Sequence, residues 1–218
     1  MRRSWAAVAL VIAALLMSAA GSPLASQTSA RVRRIAYAPN LPLAARLLPD
    51  DVTVVVEPIG KGEEVVYEHQ PTQRQVALEL LGSTAAFVMR VSAAESSLMD
   101  EGRWISTTVT GTITEILRVP TDKARAFTVG RTLSVEMFGG RLRIGHVVVE
   151  TEGAAVVEPG RRYVVFAGNG YSSPELPFLR HVPLRLNASG SLHPTAGGGS
   201  ELDGMSMRRL RSLARSDQ

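Results

Sequence analysis

The chain has 218 residues, 45% of them hydrophobic, and no cysteine, which excludes a disulfide scaffold, a thiolate zinc site and a cysteine nucleophile. Lys and Arg number 24 against 20 Asp and Glu, and the only lysines are Lys61 and Lys123. Nucleic-acid binding calls for clustered positive charge rather than a near-balanced total, so nucleic acid is not the expected partner.

Met1-Arg2-Arg3 is a basic start, Ala6 to Met17 is almost unbroken apolar sequence, and small residues follow from Ser18 to Ser22. That order predicts a secretory signal peptide. The uncharged run from Trp5 to Ala20 is short of the roughly 20 residues of a membrane-spanning helix. Cleavage is therefore expected near Ala20, with Ala25 as the second candidate, leaving an exported protein, periplasmic or extracellular, with no stable membrane anchor. Loss of Arg2 and Arg3 would leave 22 basic against 20 acidic residues, a charge of +2. The absence of cysteine also excludes a lipid-modified lipoprotein start, and it obliges an exported chain to hold together by core burial alone. A bacterial envelope suits such a chain, and the expected partner is an envelope protein. The chain divides into a signal over 1–25, an extension with one strand over 26–70, a barrel over 71–196, and a glycine hinge with a helix over 197–218.

Within the extension, Val52 to Val56 is β-branched and predicts a strand, whereas Arg31, Arg33 and Arg34 read as a solvated leader. Thr72 followed by Gln75 is a capping box opening a short helix, with Gly82 at the expected left-handed stop. From Ala85 the period changes to two: Phe87, Met89 and Val91 alternate with Val88, Arg90 and Ser92. A polar connection is expected from Glu95 to Gly102. A longer strand starts at Trp104, with Ile105, Thr107, Val109, Gly111, Ile113 and Glu115 on one face, core-like towards its middle, and a threonine ladder on the other. Gly111 in mid-strand predicts a bulge. Leu133, Val135 and Met137 alternate in another strand. Gly139-Gly140 between two strand patterns predicts a tight hairpin with positive φ, and no helix follows that would make a phosphate cradle. Glu158-Pro159-Gly160 is a turn before the strand Arg161 to Ala167. Residues 184–193 form a small hairpin about Ala188-Ser189-Gly190. Beyond the glycines at 197–199, "SMRRLRSLAR" is an amphipathic helix whose apolar stripe is expected to dock on the barrel.

The succession "AAFVMRVSAAES", "GRWISTTVTGTITEILR", "LSVEMFGG" and "VVEPGRRYVVFAG" resembles the OB-like barrel of bacterial exported proteins. At the level of fold it is similar to the netrin/tissue-inhibitor-of-metalloproteinase barrel. The resemblance implies a mainly β protein, an OB-like antiparallel β-barrel with one short helix before it and a C-terminal amphipathic helix. Those inhibitors insert an N-terminal cysteine amine into a zinc site, and this chain has no cysteine, so that activity does not transfer.

No G-x-S-x-G, H-E-x-x-H, EF-hand or P-loop pattern occurs. His69, His146, His181 and His193 show no ligand-like spacing, and Asp50-Asp51 and Glu63-Glu64 read as solvated loop acids. No catalytic residue, metal ligand or cofactor is assigned. The segment from Asn169 to His181 has a ligand-like texture, because Tyr171, Phe178 and Arg180 lie on a proline-containing loop between scaffold elements. The expected function is an exported, non-catalytic binding or assembly module. The alternative is a hydrolase or metal-dependent enzyme assembled only by the fold around His146, which strand alternation places on the face of Leu142, Ile144 and Val148.

Overall fold

The run Ala85-Ala86-Phe87-Val88-Met89 has no polar residue, and its continuity follows from burial on both faces. In the computed structural model it opens strand β3 (Ala85–Met99). Ala85, Phe87, Met89 and Val91 enter one apolar cluster, and Ala86 and Val88 enter another. Residues 31–35, 52–56, 71–99, 102–121, 124–168, 177–195 and 200–216 are described. The chain clusters into two units, 1–31 and 32–218, and the second is the one detailed below. The expected signal segment with Ala20 and Ala25, the 197–199 hinge, His69, the paired acids and Tyr171 lie outside the described residues.

Strands β3, β4 (Trp104–Arg118), β5 (Thr132–Phe138), β8 (Arg162–Gly168) and β9 (Phe178–Leu179) form a closed five-stranded barrel, compatible with an OB-like barrel. Around the ring the order is β8-β3-β4-β5-β9 and back to β8. The β5–β9 seam is parallel and the others are antiparallel. The two-residue β9 closes the ring, since it pairs with β5 on one side and β8 on the other. Closure leaves none of these five strands with a free edge in the ring.

Glu95 to Met99, expected as a connection, continue β3, with Glu95 opposite Thr108. A long partner strand supplies the pairing that overrides their polarity. At Gly111 the backbones approach closely: an added Cβ would lie 2.5 Å from the Arg90 carbonyl oxygen. The irregularity lies on β3, where the register shifts between Val91 and Ala93 opposite Gly111 and Thr110. Such shifts curl the sheet towards closure.

A second sheet has the order β1-β2-β7-β6, from β1 (Arg31–Ile35), β2 (Val52–Val56), β6 (Arg141–Ile144) and β7 (Val147–Thr151). The arginine cluster at 31–34, expected in a leader, thus lies in a strand; β-branched Val32 and Ile35 favour extended pairing. Gly139-Gly140 is not a hairpin either. β5 belongs to the barrel and β6 to the second sheet, so the two glycines carry the chain across between them. Both do have positive φ, 79° and 147°. The hairpin turn is at Gly145-His146, between the paired Ile144 and Val147.

Helix α1 (Gln73–Ser83) has the predicted capping box at Thr72 and Gln75. It runs past Gly82, and Thr84 ends it in extended conformation with its hydroxyl donating to the Leu80 carbonyl, so no left-handed glycine is needed. Helix α2 (Met207–Ser216) buries Met207, Leu210, Leu213 and Ala214. They join Ala77 and Leu81 of α1, Leu184 of β10 (Leu184–Leu186) and Leu192 of β11 (Leu192–Pro194). That cluster covers Ala86 and Val88 of β3 and Val164 and Phe166 of β8, so the helix docks on the barrel.

Candidate functional site

One end of the barrel is built around a polar exception on an apolar face. Thr107 lies between Ile105 and Val109 and is 4% exposed. Its hydroxyl donates to the Gly139 carbonyl at 2.7 Å, while the Gly139 N–H donates to the Ile105 carbonyl at 2.8 Å. Having given up its one proton, Thr107 must accept from the Ser96 hydroxyl, 2.9 Å away. Ser96 is left with acceptor capacity only. Gly140 permits this pairing: an added Cβ would sit 2.2 Å from Thr107 Oγ1 and 2.6 Å from Ser96 Oγ.

Above these hydroxyls is a cleft of about 460 Å³. Its barrel side is Ala94, Ser96, Thr107 and Met137, its far side is Val55, Arg141 and Glu150 of the second sheet, and residues 151–157 complete it. Met137 and Val157 belong to the barrel's inner cluster, so the floor of the cleft is the top of the core. Arg141 and Glu150 face each other at 3.9 Å, the arginine exposed and the carboxylate half-buried, and at that distance near solvent their mutual attraction is weak. Val156 on the rim is 68% exposed.

A neighbouring cleft of about 340 Å³ shares Met137 and residues 151–155, and is continued by Phe138, Phe178, Leu179, Arg180 and His181. Phe138 is 55% exposed, yet its ring meets Trp104 at 6.1 Å and Phe178 at 5.0 Å, both edge-on. Beneath this aromatic group is Glu136, 4% exposed, which accepts from the Ser106 hydroxyl at 2.7 Å. Arg180 passes over Gly168, where an added Cβ would be 2.6 Å from its Nε. Its backbone N–H donates to the Phe166 carbonyl at 2.9 Å. His181 packs edge-on against Phe166 at 6.0 Å. Its Nδ1 is 2.8 Å from the Val182 carbonyl, which can only accept, so Nδ1 donates there, and Nε2 lies 3.4 Å from Ser200 Oγ.

Two of the three residues singled out in the sequence, Phe178 and Arg180, thus line one cleft. Phe178 also closes the barrel as part of β9, and it is 7% exposed. His146 lies elsewhere. Because the turn is at 145–146, Ile144 pairs with Val147 and Leu142 with Val149, while Val148 pairs with Arg143 on the opposite face. The expected face of Leu142, Ile144, His146 and Val148 therefore does not form; His146 is exposed in the turn and borders neither cleft. His193 donates from Nδ1 to Asp203 at 2.9 Å and its Nε2 meets Asn187 Nδ2 at 3.1 Å. Among the described residues no group of three His, Asp or Glu side chains is placed to hold a metal ion.

Ser96, Thr107, His181 and the 151–157 segment were not assigned from sequence. Thr107 carried a signal, a hydroxyl in an otherwise apolar row, whereas Ser96 was hidden in an assumed connection.

The fold and these clefts define a class, a closed five-stranded barrel with a second sheet bordering one end. A comparison with protein-family models finds no match, and a comparison with curated proteins finds none either.

Proposed function

We propose that this chain is an exported, non-catalytic binding or assembly module whose partner is a protein of a bacterial envelope. The observation that supports the reading is the pair of adjoining clefts at the barrel end, with an apolar floor and the solvent-facing Phe138 and Val156 on the rim. An exposed aromatic backed by packed rings is the kind of anchor that dominates protein interfaces, and a barrel mouth is a recurrent place for it. The few polar groups nearby, Ser96, Arg141, Glu150 and Arg180, would set orientation rather than supply most of the affinity. The basic start and apolar run over residues 1–17, the pattern expected of an export leader, support the periplasmic or extracellular location. The likeness proposed to exported OB-like and netrin-like barrels rests on the strand pattern in the sequence, and the closed ring is compatible with an OB-like barrel at the level of fold.

The test is capture from native envelope fractions with the mature chain, compared with Phe138→Ser and Ala154→Trp. The first removes the anchor and the second puts a bulky ring at a residue that lines both clefts. A partner held by the unaltered chain and lost by both variants, each folded by thermal denaturation, is the expected result. Equal capture by all three would place the interface elsewhere. Turnover of a substrate that depends on a residue of these clefts would replace the module by an enzyme.

A further inference from the structure

Because the apolar stripe of α2 is buried, its arginines are presented to solvent on a helix that is fixed in place. Arg208, Arg211, Ser212 and Arg215 line a shallow groove of about 260 Å³ along it. The spacings of three and four residues bring the three arginines onto one stripe. Arg211 is held by Glu115 of β4 through two parallel hydrogen bonds, Nε to Oε1 at 2.6 Å and Nη2 to Oε2 at 2.8 Å. Arg162 and Arg215 lie close enough to add their attraction to the same carboxylate. Three arginines therefore act on one acid, a local excess of two positive charges, and Arg208 lines the same groove as two of them. No described carboxylate forms an ion pair with Arg208 or Arg215.

The helix end aggravates the excess. The first turn contains no acid, and Arg208 and Arg209 lie there, at the positive end of the helix dipole, where cations are disfavoured. A local rule broken at an exposed position, with no carboxylate among the described residues paired to Arg208 or Arg215, is a pointer to a ligand that supplies the compensation. The required charge is negative, and guanidinium forks match phosphate oxygens in pairs. With Met207, Leu210, Leu213 and Ala214 all buried, the helix keeps no apolar stripe to insert into a bilayer, so a membrane surface is disfavoured as the source of the phosphate.

We propose that the Arg208–Arg211–Arg215 groove binds a soluble oligophosphate, with Glu115 orienting the central arginine and Arg208 and Arg215 closing on the anion from either side. The site is separate from the clefts at the barrel end, and it stands or falls independently of them.

The probe is inorganic tripolyphosphate, titrated calorimetrically into the full mature chain at low salt. Saturable, salt-sensitive binding is expected, weakened about tenfold for each arginine removed in Arg208→Gln and in Arg208→Gln/Arg215→Gln. Arg209→Gln, which takes the same charge from the same helix outside the groove, is expected to stay within about twofold. Circular dichroism and thermal denaturation check that each variant is folded. Absence of saturable binding overturns the proposal, as does an equal loss in Arg209→Gln, which would mean diffuse charge. Binding to vesicles containing phosphatidylglycerol without binding to tripolyphosphate overturns it in favour of a membrane contact.

Discussion

On the outer face of β3 and β8, Ala86, Val88, Val164 and Phe166 are buried beneath α1, α2 and the β10–β11 hairpin. On the outer face of β4 and β5, Thr108, Thr110, Thr112 and Ser134 stay partly exposed. Both faces belong to one closed ring, and side-chain chemistry at alternate positions separates them. Apolar side chains on the first face gain by excluding water, so they recruit a covering layer. Hydroxyls on the second pair across strands, Thr110 with Ser134 at 2.8 Å and Thr112 with Thr132 at 3.3 Å, and need no cover. A small barrel can thus be stabilised by a layer on one side while another side and one end remain open for binding.

The severest break of that contrast is to remove the cover. Ending the chain after Gly199 deletes Leu202, Met205, Met207, Leu210, Leu213 and Ala214 from the outer cluster. Each large apolar side chain contributes about 1.5–3 kcal/mol on full burial, and the sum approaches the ~5–15 kcal/mol margin of a typical domain. The truncated chain is expected to show no cooperative thermal transition. Cooperative unfolding near the full-length midpoint would make the helix peripheral.

At the open end, Gly140→Val forces a β-branched residue to φ 147° and into the Ser96–Thr107 pair. A loss of about 3 kcal/mol or more in urea denaturation is expected. A loss under about 1 kcal/mol would show that the hydroxyl pair can give way.

A smaller effect marks the seam between helix and barrel. The hydrogen bonds from Arg211, helped by the charges of Arg211, Arg162 and Arg215, hold the Glu115 carboxyl below its ordinary value of 4.5 despite partial burial. Because the folded value is the lower one, the pair stabilises above about pH 4.5 and loses that contribution as pH falls through the folded value. Glu115→Gln should cost up to about 1 kcal/mol at neutral pH, the partly exposed pair being screened by solvent. The difference from the unaltered chain should vanish in strong acid. A difference independent of pH would remove the charge from the explanation.

Least of all should follow from the open face. Thr110→Val exchanges the Ser134 hydrogen bond for a better strand former, and a change of less than about 1 kcal/mol is expected. A loss comparable with a core truncation, measured by the same denaturation, would mean that the hydroxyl ladder carries the sheet.

Much was legible before any coordinates because it depends on neighbours in sequence. The capping box at Thr72 and Gln75, the Pro159-Gly160 turn, the 184–193 hairpin and the alternation along β4 from Thr107 to Ile113 are local patterns, and the structure keeps them. Beyond Ile113 register shifts break the alternation and turn Glu115 off the expected face. The apolar stripe of α2 was equally plain. Tertiary structure alone decided what depends on distant partners: that Glu95 to Met99 extend a strand, that Gly139-Gly140 link two sheets, and that His146 turns outward. The same holds for the clefts. Ser96, Thr107, Met137, Glu150 and Phe178 come from five strands or their ends, and no spacing rule relates them. Periodicity reports which face of a strand a residue occupies, because that follows from backbone geometry. Which strands meet, and what stands open between them, follows from the closure of the ring, in which Phe178 meets Glu136, about forty residues away, a contact that only the burial of the whole core makes favourable.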